Sequence, residues 1–302
     1  MDGGGRSWLK LERSVRGFLY PLTKPQHRRA LISARDGAVS MVASGRSKIR
    51  SGRPLPDFIV AGVQKGGTTF LYQEMLRHPE VKGSLTKEVH FFDANFDRGL
   101  DWYSGMFPGS SNSKTILGEA SPAYIYHPDA VRRIAETLPD VRLIVILRDP
   151  VQRALSHYKH ERRLGFETAA TFEEALELED SRVTDEYDKL ADGSLSTSFA
   201  VGHFGYRRRG LYAEQLKRAV NLIGRERLLV LISEEMFADP VAATASALEF
   251  VGASPHAIDG VGHNDMAFMS EAMDEETEAT LRKFFTEPNG ELADFLDREL
   301  PW

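Results

Sequence analysis

The chain has 302 residues, 42% of them apolar, and can bury a sizeable core, but its lack of cysteine excludes disulfides, thiolate metal sites and a thiol nucleophile. It also lacks a run of about 20 apolar residues and the apolar block of a secretory signal, so the expected compartment is the cytoplasm. Its net charge of -6 divides into a basic leader and an acidic body, and an acidic body disfavours nucleic acid or a highly anionic polysaccharide as a partner.

Residues 1–56 form a basic N-terminal extension, since residues 1–53 carry twelve Lys/Arg against three Asp/Glu. Leu11, Val15 and Phe18 lie at helical spacing, so a basic amphipathic helix is predicted. That helix could make peripheral contact with an anionic membrane or dock on a partner, whereas a packed extension or frayed tail is the plainer alternative. Residues 44–56 are rich in Gly, Ser, Arg and Pro, which predicts a linker.

From residue 57 onward, predicted strands alternate with predicted helices. The strands are short apolar runs at 58–61, 116–117, 143–147 and 228–232. The helices are longer segments at 68–77, 129–138 and 150–164. This alternation predicts a single α/β domain over residues 57–302, a P-loop-like three-layer fold in which helices flank a central parallel sheet. Within it, residues 167–200 are acidic and predict a helix followed by a mobile loop.

Residues 62–69 (GVQKGGTT) join the first predicted strand to a helix. Unpaired backbone N–H groups and the positive end of the helix dipole favour an anion at such a junction. The run nearly matches the nucleotide-triphosphatase pattern, but Thr68 stands where that pattern has lysine, and Lys65 lies inside the loop. These groups suit a metal-free phosphosulfate donor better than a magnesium-bound triphosphate, while a simple Gly-rich turn is the alternative.

A second element is the buried strand 143–147, which delivers Arg148 to its carboxyl end, beside the mouth of the first loop. Ser156 follows two helical turns later, so a guanidinium and a hydroxyl could bind one further phosphate. An ion pair between Arg148 and Asp149 is the structural alternative.

A third element is residues 87–93 (KEVHFFD), which contain a carboxylate and an imidazole. If this segment is extended, Glu88 and His90 point to the same side, and either could act as a base. A buried carboxylate with a raised pKa would suit removal of a proton from an alcohol. In isolation, however, Glu and His in a loop are usually solvated surface residues.

Together, the runs at 62–69, 87–93 and 147–150, followed by Arg153 and Ser156, resemble the sulfotransferase superfamily. The closest resemblance is to its heparan-sulfate-type branch and the related bacterial enzymes, and it covers roughly residues 57–302. It implies an enzyme that transfers a sulfuryl group from 3′-phosphoadenosine 5′-phosphosulfate (PAPS) to an acceptor hydroxyl by in-line attack.

The resemblance also implies roles for individual residues. The implied PAPS-binding residues are Lys65, Gly66, Gly67, Thr68, Thr69, Arg148 and Ser156. In this scheme Arg148 and Ser156 bind the 3′-phosphate, and no metal is expected. Glu88 would be the general base, His90 would support it or position the acceptor, and Lys65 would neutralise charge on the departing phosphate oxygen.

Departures from the heparan-sulfate enzymes leave the acceptor open. Ala120 stands where those enzymes usually carry a lysine, and the chain lacks their cysteine-bracketed loop. The acceptor is therefore expected to be a metabolite, lipid, glycan or natural product. Two other functions stay open: a phosphate-loop kinase that uses ATP and Mg, and a non-catalytic module that binds an anion or a membrane.

Overall fold

The computed structural model describes residues 25–49, 54–109, 114–256 and 273–302. At its centre lies one sheet whose five strands are all parallel, in the order β2-β3-β1-β4-β5. The strands are β1 (Phe58–Gly62), β2 (Val81–Gly83), β3 (Ile116–Ala120), β4 (Arg142–Leu147) and β5 (Leu228–Ile232). The predicted parallel sheet is confirmed.

The α-helices of the described residues surround this sheet. They are α1 (Pro25–Ile49), α2 (Thr68–Met75), α3 (Phe91–Ala94), α4 (Gly99–Gly105), α5 (Ala130–Thr137), α6 (Pro150–Leu164), α7 (Phe172–Ala191), α8 (Phe199–His203), α9 (Tyr212–Ile223), α10 (Ser233–Ala238), α11 (Pro240–Phe250) and α12 (Glu275–Leu296). Asp149 begins α6 by accepting a hydrogen bond from the Val151 N–H at 2.9 Å, and the following proline suits the first helical turn.

Two apolar layers, one on each side of the sheet, form most of the core. Along β1, Ile59 and Ala61 join the layer that includes α5 and α9, whereas Phe58 and Val60 join the layer that includes α2 and α11. Successive side chains of a strand point to opposite faces, so a strand covered on both faces is apolar throughout. The predicted three-layer architecture is therefore confirmed.

The N-terminal part differs from the expectation in one respect. Helix α1 runs to Ile49 and so includes the first residues of the segment expected to be a linker. It packs against α4, where a Cβ on Gly105 would lie 2.2 Å from the carbonyl oxygen of Ala43. This tertiary contact stabilises a helix that its Gly and Ser residues disfavour. The amphipathic helix expected around Leu11 lies outside the described residues, and the division at residue 57 stays a prediction.

Candidate active site

The loop at residues 62–69 packs tightly under the end of β4. The Val63 N–H donates to the carbonyl of Ile146 at 3.1 Å, and the Gly66 N–H donates to the carbonyl of Val63 at 2.9 Å. A Cβ on Gly66 would lie 2.3 Å from the Ile146 carbonyl oxygen, so this position accepts only glycine without a shift of backbone. Gly67 has a φ of 98°, a left-handed conformation that also favours glycine.

Helix α2 begins at Thr68, directly after this loop. The first N–H groups of a helix have no acceptor within the helix, and the helix dipole makes this end positive. Lys65, Thr68 and Thr69 all line the cleft into which the helix start opens. The loop therefore has the geometry and the charge of an anion site.

Arg148 lies at the end of β4 beside this loop. Its Nη1 donates to the carbonyl of Lys65 at 3.2 Å, which joins the arginine to the loop itself. Asp149 instead approaches Arg282 at 3.3 Å and caps α6. Ser156, on α6, lines the same cleft as Arg148. These contacts place a guanidinium and a hydroxyl where a second phosphate could bind.

Residues 87–93 adopt a bent backbone and not the extended one under which the sequence would place Glu88 and His90 on the same side. Glu88 has a φ of 65° and His90 a φ of 52°, and α3 begins immediately afterwards. The two side chains still meet, because His90 Nε2 lies 3.5 Å from Glu88 Oε2. On the other side of the imidazole, His90 Nδ1 lies 2.8 Å from Asp93 Oδ2. The bend thus produces a row of carboxylate, imidazole and carboxylate.

Charges of alternating sign set the protonation of this row. Burial alone would raise the pKa of Glu88, but Lys87, whose Nζ lies 2.5 Å from Glu88 Oε1, and His90 hold it well below its usual range. Burial would lower the pKa of His90, but Asp93 and Glu88 raise it well above its usual value. Glu88 is therefore ionised and His90 protonated near neutral pH. The raised pKa expected for a buried carboxylate is not found at Glu88.

A buried network of hydrogen bonds holds the bent backbone of residues 87–93 in place. Glu119 is fully buried on β3 and accepts hydrogen bonds from Ser121 Oγ at 2.6 Å and Tyr124 Oη at 3.2 Å. The same hydroxyls accept from the backbone, Ser121 from the His90 N–H at 3.2 Å and Tyr124 from the Phe91 N–H at 2.7 Å. The N–H groups of His90 and Phe91, which the left-handed turn leaves without a partner in a helix or strand, thus have hydrogen-bond acceptors.

One cleft of about 1880 Å³ brings the predicted site residues together. The predicted site residues that line it are Lys65, Gly67, Thr68, Thr69, Glu88, His90, Arg148 and Ser156, while Gly66 packs behind the loop against β4. Their individual roles stay predictions. Among the described residues, no group of three or more His, Asp or Glu side chains is arranged to hold a metal ion.

Sequence reasoning missed three carboxylates of this region. Asp93 could have been found from its position three residues after His90, a spacing that brings side chains together on a helical turn. Glu119 carries no comparable signal, because its partners Ser121 and Tyr124 follow the end of strand β3 and share no helical spacing with it. The buried Glu161 of α6 contacts His203, which lies 42 residues away in the sequence.

Comparison with known proteins gives consistent matches. A family model described as "Sulfotransferase domain" matches residues 55–283. Mouse heparan sulfate glucosamine 3-O-sulfotransferase 6 is 32% identical over 211 residues, which cover 70% of this chain and 55% of that protein. The membrane-associated sulfotransferase kil1 of Dictyostelium discoideum is 25% identical over 314 residues, which cover 82% of this chain and 66% of that protein. The chain thus spans between half and two thirds of the length of these two relatives.

A solved structure supports the fold. The sulfotransferase from Alicyclobacillus acidocaldarius superimposes with a TM-score of 0.67 at 30% identity, covering 82% of this chain and 98% of that chain. The likeness therefore includes most of the described sheet and its helices.

The comparisons also correct the expected location. The cytoplasmic assignment is wrong as an inference from the sequence, since the Dictyostelium relative is named a membrane-associated protein. In the part of the chain that the structure describes, every helix is too short or too polar to cross a bilayer.

Proposed function

The chain belongs to the family of proteins with a sulfotransferase domain, and on this premise we propose that it transfers a sulfuryl group from PAPS to an acceptor hydroxyl. One observation carries the proposal. The anion-binding loop, the pair Arg148 and Ser156, and the carboxylate of Glu88 all line a single cleft. Groups suited to two separate phosphates and to one proton are thus gathered around one space.

In this proposal the donor binds along the carboxyl edge of the sheet. The backbone N–H groups at the start of α2, with Lys65, Thr68 and Thr69, bind the 5′-phosphosulfate. Arg148 and Ser156 bind the 3′-phosphate, and the hydrogen bond from Arg148 to the carbonyl of Lys65 fixes the spacing between the two phosphate sites.

The transfer step is an in-line displacement at sulfur. The acceptor oxygen forms a bond to sulfur, the bond between sulfur and the bridging phosphate oxygen breaks, and adenosine 3′,5′-bisphosphate leaves. Glu88 takes the proton of the acceptor hydroxyl, and Lys65 offsets the negative charge that develops on the bridging oxygen. The ionised state of Glu88 supports its proposed role as proton acceptor.

His90 has a supporting role in this scheme. Its imidazolium is held between Glu88 and Asp93, so the orientation of the Glu88 carboxylate depends on both neighbours. We assign His90 and Asp93 to positioning the base and the acceptor.

The acceptor is proposed to be a hydroxyl of a glycan or of a smaller molecule. The mouse relative is named for heparan sulfate, which favours a glycan, whereas Ala120 replaces the lysine usual in that branch. A panel of phenols, sugars, sterols and lipid extracts, incubated with sulfate-labelled PAPS, distinguishes these acceptors by the labelled product.

Ligand-induced thermal stabilisation tests the donor. Adenosine 3′,5′-bisphosphate should raise the melting temperature in the absence of metal, because a ligand that binds only the folded state stabilises it. AMP, which lacks the 3′-phosphate, should stabilise far less, and ATP with Mg should not exceed AMP. Equal stabilisation by AMP and the bisphosphate would remove the assignment of Arg148 and Ser156, and a preference for ATP with Mg would favour a kinase.

A further inference from the structure

Three aromatic rings form a cluster in the cleft that the proposed reaction does not use. Phe166, Phe199 and His203 all line the cleft. The His203 ring centroid lies 4.4 Å from that of Phe166 and 4.3 Å from that of Phe199. Phe199 is 54% exposed, unusually high for so large an apolar side chain. A ring face presented to a cleft in this way is typical of a surface that a ligand covers.

A buried carboxylate fixes this cluster relative to the loop at residues 62–69, called the donor loop below because it is proposed to bind PAPS. Glu161 is almost fully buried, and its Oε2 lies 2.8 Å from Nδ1 of His203. Its other oxygen accepts a hydrogen bond from Gln64 of the donor loop at 3.4 Å. The aromatic cluster and the loop therefore share one anchor, so a ligand on the rings would lie in a fixed relation to a bound donor.

The aromatic cluster is distinct from a second aromatic pair beside the donor loop. Phe70 of α2 and Phe237 of α10 have ring centroids 5.0 Å apart and also line the cleft. A Cβ on Gly67 would lie 2.9 Å from the Phe237 ring, which places this pair against the loop. The base of a donor nucleotide thus has an aromatic surface of its own next to its phosphates. The cluster of Phe166, Phe199 and His203 is therefore not needed to bind the base and is free to bind the acceptor.

Helix α1 covers this part of the cleft. It precedes the matched family domain, which begins at residue 55. Near its start, the Arg29 guanidinium lies 5.9 Å from the centroid of the Phe166 ring, and Ile32 also lines the cleft. Further along, Ser40 Oγ accepts hydrogen bonds from Arg98 Nη1 at 2.6 Å and from Trp102 Nε1 at 3.2 Å. The helix thus spans from the aromatic cluster to α4.

We propose that Phe166, Phe199 and His203, closed over by α1, form an acceptor subsite that binds the apolar face of a ring in the acceptor molecule. The inference rests on the proposed sulfuryl transfer and adds the acceptor's chemical class. An acceptor held by ring stacking presents its hydroxyl to Glu88 without relying on charge. Both an aromatic ring and the apolar face of a sugar ring offer such a surface.

Isothermal titration of 2-naphthol into the full chain saturated with adenosine 3′,5′-bisphosphate tests this subsite. We expect 2-naphthol to bind the wild-type complex and to bind the Phe199→Ala complex about tenfold more weakly, through lost stacking and contact area. The matched control is Phe284→Ala on α12, since Phe284 is 41% exposed but lies outside the cleft. That variant should bind 2-naphthol as the wild type does, and all three proteins should bind the nucleotide equally. Methyl β-glucopyranoside, titrated in parallel, shows whether the subsite also takes a sugar ring.

Two results would overturn the subsite while leaving the proposed function intact. One is a wild-type nucleotide complex that binds neither 2-naphthol nor the glucopyranoside. The other is equal 2-naphthol affinity in the wild type and Phe199→Ala. Failure of the wild type to bind adenosine 3′,5′-bisphosphate would instead overturn the proposed function, and the acceptor subsite with it.

Discussion

The electrostatics of Glu88 depend on three neighbours within five residues. Lys87 and His90 each approach one of its oxygens, while Asp93 holds the far side of the imidazole. Each positive group lowers the cost of keeping a carboxylate ionised in a cleft. The arrangement keeps Glu88 ionised, which is the form that can accept a proton, but it lowers the basicity of the carboxylate.

Replacement of Glu88 by Gln tests the role of this carboxylate. Glu88→Gln keeps the size of the side chain but cannot take the acceptor proton, so turnover should fall by about 100-fold or more. The measurement is the rate of labelled sulfate transfer to an acceptor identified by the panel, together with the affinity for adenosine 3′,5′-bisphosphate. That affinity should change little, because the residues proposed to bind the nucleotide remain.

A control substitution at an exposed glutamate and a pH series complete this test. Glu136→Gln, on the exposed side of α5, should leave turnover unchanged. Because the pKa of Glu88 is held well below its usual range, the carboxylate is ionised above that pKa and protonates only in acid. Wild-type turnover should therefore show no loss attributable to Glu88 between about pH 8 and about pH 6. Wild-type rates in Glu88→Gln would exclude this residue as the base.

At the residue scale, the sequence predicted that Glu88 and His90 lie close together but not the backbone conformation that brings them together. An extended segment would place Glu88 and His90 on the same side, but they meet instead across a left-handed bend. The bend depends on Ser121 and Tyr124, which bind the backbone from about 30 residues downstream. No local pattern predicts such a contact, so the distances from Glu88 to Lys87 and His90, which set the pKa of Glu88, could not be predicted either.

At the element scale, the proposed donor binding requires the loop at residues 62–69 to lie close to β4. The loop is hydrogen bonded to Ile146 through Val63 and to Arg148 through the carbonyl of Lys65. A shift of the loop would therefore disturb both proposed phosphate sites together.

Gly66→Ala tests this close approach. The new Cβ would lie 2.3 Å from the carbonyl oxygen of Ile146, which is backbone and cannot rotate away. We expect a loss of stability of about 1–3 kcal/mol and little stabilisation by adenosine 3′,5′-bisphosphate. Thermal unfolding with and without the nucleotide measures both effects.

Gly290→Ala is the matched control for this substitution. Gly290 lies inside α12, and a methyl group added there would have no atom within 4 Å, so alanine should stabilise the helix by about 0.5–1 kcal/mol. Nucleotide binding should be unchanged. A Gly66→Ala protein that melts and binds nucleotide like the wild type would show that the loop tolerates displacement.

Four of the five strands and the helices α2, α5, α6 and α7 were predicted from residue 57 onward, whereas the other helices of this region were not predicted individually. Continuous apolar runs marked β1, β4 and β5, and the proline after Asp149 marked the start of α6. Strand β2 was missed because it has only three residues and ends in glycine. Helix α1 was not predicted, and its last residues lie in the segment expected to be a linker because of its Gly and Ser residues. Its packing on α4 decides the outcome.

At the scale of the whole molecule, net charge is a poor guide to the ligand. The chain carries a net charge of -6, but the side chains that line the cleft include eight Lys or Arg and four Asp or Glu. Charges farther away than about 10 Å are largely screened at 0.1 M salt. The acidic body therefore does not argue against an anionic ligand in the cleft.

Salt dependence of nucleotide binding tests whether this local charge dominates. If Lys65 and Arg148 bind the phosphates as proposed, they should attract adenosine 3′,5′-bisphosphate despite the negative net charge, and salt should weaken this attraction. We expect its dissociation constant to rise several-fold between about 50 mM and about 500 mM NaCl, and that of AMP to rise less, since AMP lacks the 3′-phosphate. Titration calorimetry at both salt concentrations measures the two changes. If the acidic body dominated instead, added salt would screen repulsion and tighten nucleotide binding, so the sign of the change separates the two cases.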